Sequence, residues 1–124
     1  MSLPKRLLDG YTSFRSGIYA NQEQRYRELG AGVQKPTVMI IGCCDSRAAP
    51  ETIFDAGPGE IFVVRNVANL VPPYQPDGNH HATSAALEFA VLSLGVKHVV
   101  VMGHGRCGGI RAVINQDSGP LTHT

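Results

Sequence analysis

The chain has no tryptophan, and only 6% of its 124 residues are aromatic. It has three cysteines, at 43, 44 and 107, an odd and scattered set that excludes a disulfide framework. Charge of one sign is also missing: 11 Lys and Arg stand against 10 Asp and Glu, a net charge of +1. Without a basic run or an aromatic ladder there is no basis for a nucleic-acid partner. No apolar run approaches the roughly 20 residues that span a bilayer, so no membrane partner is expected. The opening Met1-Ser2-Leu3-Pro4-Lys5-Arg6 has no apolar segment behind it and does not read as a secretory signal. These absences together suggest a reducing cytoplasm. The 43% of hydrophobic residues suffices for one domain with a modest core.

The pattern that is present alternates strands with helices. Leu7, Leu8, Tyr11, Phe14 and Ile18 recur at helical spacing over 4–19, and a polar second helix opens at Asn21-Gln22-Glu23-Gln24 and stops at Gly30 and Gly32. Its Glu23, Arg25, Arg27 and Glu28 read as a solvated face. Apolar runs over 37–43, 60–65 and 97–102 read as buried strands, with short or moderate helices over 48–55, 83–94 and 107–115. Gly57-Pro58-Gly59 is a turn, Gly95 closes the 83–94 helix, and three prolines with Gly78 keep 71–79 irregular. A second turn is expected at Gln116-Asp117-Ser118-Gly119-Pro120. The fold class that follows is α/β, with a parallel sheet and flanking helices. It forms one domain over 1–124, with 1–30 as an N-terminal helical arm.

Chemistry gathers after two of these strands. Cys43-Cys44-Asp45-Ser46-Arg47 follows the first, and Gly103-His104-Gly105-Arg106-Cys107-Gly108-Gly109 follows the third. Neighbouring parallel strands end side by side, and sites form there. Cys43, His104 and Cys107 therefore converge. Two thiolates and an imidazole suit zinc, and three protein ligands leave a fourth position open for water. Cys44 reads as an ordinary small hydrophobe. Asp45 is placed to accept a hydrogen bond from that water, and Arg47 to hold the carboxylate in a bidentate pair and keep it off the metal.

Three rivals use the same residues. Gly103-His104-Gly105-Arg106-Cys107-Gly108 spells the dinucleotide fingerprint, but an imidazole and an arginine stand where pyrophosphate must approach, and Asp117 lies too near to hold a ribose. A cysteine phosphatase needs an arginine six residues after its nucleophile, where Cys43 and Cys44 have Ala49 and Pro50. A structural zinc module needs a fourth ligand, and Asp45 is the one nearby candidate.

Cys43-x-Asp45-Ser46-Arg47 and His104-x-x-Cys107-Gly108-Gly109 resemble the two signature motifs of the β-class carbonic anhydrases. Phe62-Val63-Val64-Arg65-Asn66-Val67-Ala68-Asn69-Leu70-Val71-Pro72-Pro73-Tyr74 is similar to that family in the branch shared with plant enzymes. The likeness runs from about Leu7 to Ile114. It implies a zinc enzyme that hydrates carbon dioxide to bicarbonate and a proton by way of a zinc-bound hydroxide, working as a dimer or larger homo-oligomer. It also implies substrate-binding positions at Gln34, Phe62, Val67, Phe89 and Gly108. Arg65 matches one of three residues of an inhibitory bicarbonate site found in some bacterial members, but Ile40 and Phe89 occupy the other two places, so no such site is expected. His80 and His81 are candidate proton shuttles only because loop histidines titrate near neutrality. The family continues past the last helix, so the sheet of these 124 residues is expected to be incomplete on its C-terminal side. The bare edge of the third strand and the apolar stripe of the first helix then call for a second subunit. A zinc-holding remnant without turnover stays open beside the enzyme.

Overall fold

A computed structural model describes residues 2–115, so the turn expected at 116–120 lies outside the described residues. The chain separates into two compact units, Met1–Gln34 and Lys35–Thr124.

The first unit is a pair of helices, α1 (Lys5–Ser16) and α2 (Ile18–Ala31). The expected first helix breaks at Gly17 rather than running on to Tyr19, because Gly17 takes a non-helical conformation (φ −109°, ψ −91°). A Cβ there would stand 3.0 Å from the Ser13 carbonyl oxygen. Gly10 is tolerated inside α1, at the modest helical cost of glycine. The pair is tied by an aromatic cluster of Phe14, Tyr19 and Tyr26, whose ring centroids lie 5.2–6.3 Å apart. Leu7, Leu8 and Tyr11 remain on the exposed face of α1.

The second unit is built on a three-stranded parallel sheet in the order β2-β1-β3. Its strands are β1 (Val38–Cys43), β2 (Ile61–Asn66) and β3 (His98–Met102). Pro36, which has no N–H to give a ladder, precedes β1. β1 is the central strand, and Met39, Ile40, Ile41, Gly42 and Cys43 are all buried. Met39, Ile41 and Ala90 form the core, with Phe62, Val64, Leu87 and Val96 packed against it. Each large aliphatic side chain buried in this way stabilises the fold by about 1.5–3 kcal/mol.

The connections are shaped by their sequences. After β1 the expected helix over 48–55 is a 3-10 turn (Ser46–Ala48) followed by one turn of helix, α3 (Pro50–Ile53), with proline at its first position. A second 3-10 turn, Val67–Asn69, follows β2 directly. Helix α4 (Ala82–Glu88) widens into a π-helical stretch, Phe89–Leu94, and stops at Gly95, which takes the left-handed conformation (φ 67°) that closes helices. Helix α5 spans Gly108–Asn115.

The covered third strand expected from its apolar sequence differs from what this unit provides. β3 pairs with β1 alone among the described residues. Val99, Val100 and Val101 remain 43%, 37% and 53% exposed. The sheet is small and incomplete at this edge. No helix among the described residues is long and apolar enough to cross a membrane.

Candidate metal centre

The register of the sheet decides where the chemistry falls. β1 pairs in parallel with both neighbours, Cys43 opposite Asn66 and Gly42 opposite Met102. The carboxyl ends of all three strands therefore lie in one row, and the loops that leave them meet. Cys43 ends β1, the 67–69 turn leaves β2, and His104 and Cys107 lie in the loop between β3 and α5. Cys43, the last residue of the buried central strand, is buried, whereas Cys44, just beyond it, is exposed.

Cys43, His104 and Cys107 bring one ligand atom each to within 4.8 Å of one another. The two sulfurs are 3.9 Å apart. A tetrahedral zinc with bonds of about 2.3 Å holds two sulfurs about 3.8 Å apart, so the cysteines stand at ligand spacing. His104 Nδ1 lies 3.0 Å from the Gly105 carbonyl oxygen, to which it donates. That bond leaves the lone pair on Nε2, which is buried without a hydrogen-bond partner. An orphaned imidazole nitrogen beside two buried sulfurs has the donor set of a zinc site, and the chain fits that ion.

Backbone strain shapes the wall of this cluster. Ala68 and Asn69 take left-handed conformations (φ 71° and 46°), which side chains other than glycine adopt at some cost. The strain points the Ala68 N–H at Cys43 Sγ, 3.4 Å away. Helix α5 packs closely on the same turn. A Cβ at Gly109 would fall 2.8 Å from both Ala68 Cβ and Val67 Cγ1, so only glycine fits there. Gly109 thereby fixes the distance between the loop that carries Cys107 and the turn that serves Cys43.

Electrostatics follow from these contacts. Burial works to raise the Cys43 thiol, but hydrogen bonds, chiefly from the backbone at Asp45 and Ala68, outweigh it and bring the pKa down to about 7. Asp45 accepts from Arg47 three times: from Nε at 3.0 Å and the backbone N–H at 2.8 Å to Oδ1, and from Nη2 at 2.9 Å to Oδ2. The Arg47 guanidinium thus holds the Asp45 carboxyl well below the usual carboxylate range. Arg47 also reaches the Arg106 carbonyl oxygen at 3.5 Å, across to the other loop.

The remaining sequence-selected residues are placed as follows. Val67 is half-exposed on the turn against Gly109, and Gly108 opens α5 directly after Cys107. Phe62 and Phe89 pack on each other, ring centroids 5.8 Å apart, beside the Met39 core. Phe62 pairs with Met39, four positions before Cys43, so one chain does not bring these rings to its own cysteine cluster. Gln34 ends the N-terminal unit. His80 is exposed, while His81 Nε2 pairs with Asp77 Oδ1 at 2.7 Å. The Asn79 backbone N–H and His81 hold Asp77 down at about 2.

Sequence reasoning missed the structural part played by Arg65. Its Nε donates to the Cys43 carbonyl oxygen at 2.8 Å and its Nη2 to that of Asp45 at 2.6 Å. The available signal was a cation at the end of an otherwise apolar, half-buried strand, a place where arginine needs partners.

The carbonic anhydrase family model matches residues 38–124. The chain belongs to the β-carbonic anhydrase family. It is 41% identical over 107 residues to β carbonic anhydrase 5, chloroplastic, of Arabidopsis thaliana, covering 86% of this chain and 35% of that one. It is equally identical over 114 residues to β carbonic anhydrase 6, mitochondrial, of the same plant, covering 92% and 38%. A tetrameric β-carbonic anhydrase of the filamentous ascomycete Sordaria macrospora superposes with a TM-score of 0.75 at 34% identity, over 94% of this chain and 55% of that structure. The chain thus spans little more than a third of the length of the curated relatives. Zinc is the metal of this family, in keeping with the donor set described above.

The relatives also correct one expectation. They are named for the chloroplast and the mitochondrion, and a cytoplasmic location does not stand against them. Few cysteines speak only for reducing surroundings, which more than one compartment provides.

Zinc uptake should follow the Cys43 thiol, since the ligand must be deprotonated. Its lowered pKa means that the thiolate predominates above about 7 and that protons compete below it. Chelator-competition titrations should give a zinc affinity that falls by at least about tenfold per pH unit below neutrality. An affinity still flat well below pH 7 would contradict the assignment of Cys43 as a ligand.

Proposed function

We propose that this domain catalyses the reversible hydration of carbon dioxide to bicarbonate and a proton, with zinc held by Cys43, His104 and Cys107. The observation that carries the reading is the Asp45–Arg47 pair beside an orphaned imidazole and two sulfurs at zinc spacing. Three ligands leave a fourth position open, and zinc bound in this manner lowers the pKa of water there towards neutrality. Asp45 would accept a hydrogen bond from a water held there and turn its lone pair towards substrate. Arg47 occupies both carboxylate oxygens and so keeps Asp45 from closing the site. Gln34, Phe62, Val67, Phe89 and Gly108 form the substrate surroundings in this reading, with Phe62 and Phe89 serving the site of an adjoining subunit.

The second subunit is part of the proposal. The half-exposed valines of β3 and the exposed Leu7, Leu8 and Tyr11 of α1 are apolar faces for a homodimer or larger assembly. A tetrameric relative of the same fold supports this. A second reading, a zinc-holding module without turnover, rests on the same half-exposed sheet edge at β3.

Stopped-flow hydration assays, with zinc measured on the same sample, separate the two. Turnover that falls by at least about a hundredfold in Arg47→Ala, with one zinc still bound per chain, is the expected result. Zinc-loaded protein without turnover would establish the module instead. Sedimentation at low micromolar concentration should give a dimer or larger species, and a cooperatively unfolding, zinc-loaded monomer would overturn that part.

A further inference from the structure

We propose that Arg65 is the positioning residue of the metal centre: it anchors the Cys43–Asp45 bend to β2 and thereby sets where the Asp45 carboxylate can reach. The proposal rests on the zinc reading given above and adds to it a residue that touches neither metal nor substrate.

The Asp45–Arg47 pair does not by itself tie the carboxylate to the sheet. The two residues are two positions apart at one 3-10 turn, and the Asp45 carboxylate also accepts the turn's own N–H from Arg47. The pair is internal to that turn and moves with it. The turn is closed by the Ala48 N–H donating to the Asp45 carbonyl oxygen at 3.0 Å, again a bond within the turn. Arg47 is 59% exposed at its side chain, and its reach to the Arg106 carbonyl oxygen is long at 3.5 Å. Something else must relate the turn to the sheet.

Arg65 makes that link with two hydrogen bonds from one planar group. It pairs in register with Gly42 on β1, one residue before Cys43. Its guanidinium takes the carbonyls of Cys43 and Asp45, one on each side of Cys44. The Cys44 N–H donates to the Asn66 carbonyl oxygen at 2.8 Å, a third stitch from the neighbouring residue of β2. Hydrogen bonds from a charged donor are shorter and stronger than neutral ones, so the two from Arg65 are the strongest links between this bend and β2. A lysine offers its donors from one rotatable nitrogen and lacks the rigid fork, so it cannot hold the two carbonyls in the fixed relation that Nε and Nη2 impose. Loosening the bend lets Asp45 and Arg47 swing together, and the carboxylate then competes for the open metal position.

The test uses the full chain loaded with cobalt(II) in place of zinc, titrated with azide and followed by visible absorption. Wild-type protein should respond to azide. Arg65→Lys should still bind one cobalt per chain but take azide about tenfold to a hundredfold more weakly, because Asp45 now contests the position. Adding Asp45→Asn to Arg65→Lys should restore azide binding, which a merely destabilised fold would not do. Arg65→Ala, if it folds, should show the larger effect, and Arg65→Lys carries the test if it does not. A wild-type azide response in Arg65→Lys, loss of its cobalt, or failure of Asp45→Asn to rescue it would each overturn the proposal. A wild-type chain without any azide response would instead overturn the zinc reading and the proposal with it.

Discussion

Two buried sulfurs 3.9 Å apart, with a partnerless imidazole nitrogen beside them, are the arrangement on which the rest of the molecule depends. Without an ion the cluster is uncomfortable. Deprotonating Cys43 places a charge where burial opposes it; the surrounding backbone N–H groups outweigh that cost for this one thiolate, but no cation offsets the charge of a second thiolate beside it. With a divalent cation at the centre, the two thiolates and the imidazole lone pair are satisfied at once. Metal binding and folding of this corner are therefore coupled in sign. The strain at Ala68 and Asn69 and the close approach at Gly109 both serve to hold these three side chains in place.

The parallel sheet supplies the scaffold because register, not sequence proximity, sets what meets. Cys43 and Cys107 are 64 positions apart. They meet because β1 lies between β2 and β3 with every strand running the same way, so loops leaving the strands share one edge. Function sits at that edge, and stability sits in Met39, Ile41 and Ala90 below it. Phe62 belongs to the lower layer, packed against that core and in register with Met39.

Much of this was legible in the residues alone. Apolar β-branched runs marked the three strands, and cysteine or histidine just beyond two of them marked the cluster. The two-residue step from Asp45 to Arg47 gave their ion pair. Less legible were features that depend on exact backbone geometry. The break at Gly17, the wide turn from Phe89 to Leu94 and the left-handed Ala68 leave no periodic trace. Arg65 was visible as a cation on a half-buried strand, but its acceptors are backbone carbonyls, which every residue carries and no side-chain motif announces. The exposure of β3 has a different cause. Its composition describes a strand covered on both faces, and the described residues supply only part of that cover.

The central claim is that zinc is held by two sulfurs and one nitrogen with one further position open. X-ray absorption at the zinc edge of the purified full chain tests it most directly. The expected shell is two sulfurs at about 2.3 Å, one imidazole nitrogen at about 2.0–2.1 Å and a single light atom completing four-coordination. A shell of three sulfurs, which would bring Cys44 into the site, or zinc with no imidazole contribution, would contradict it.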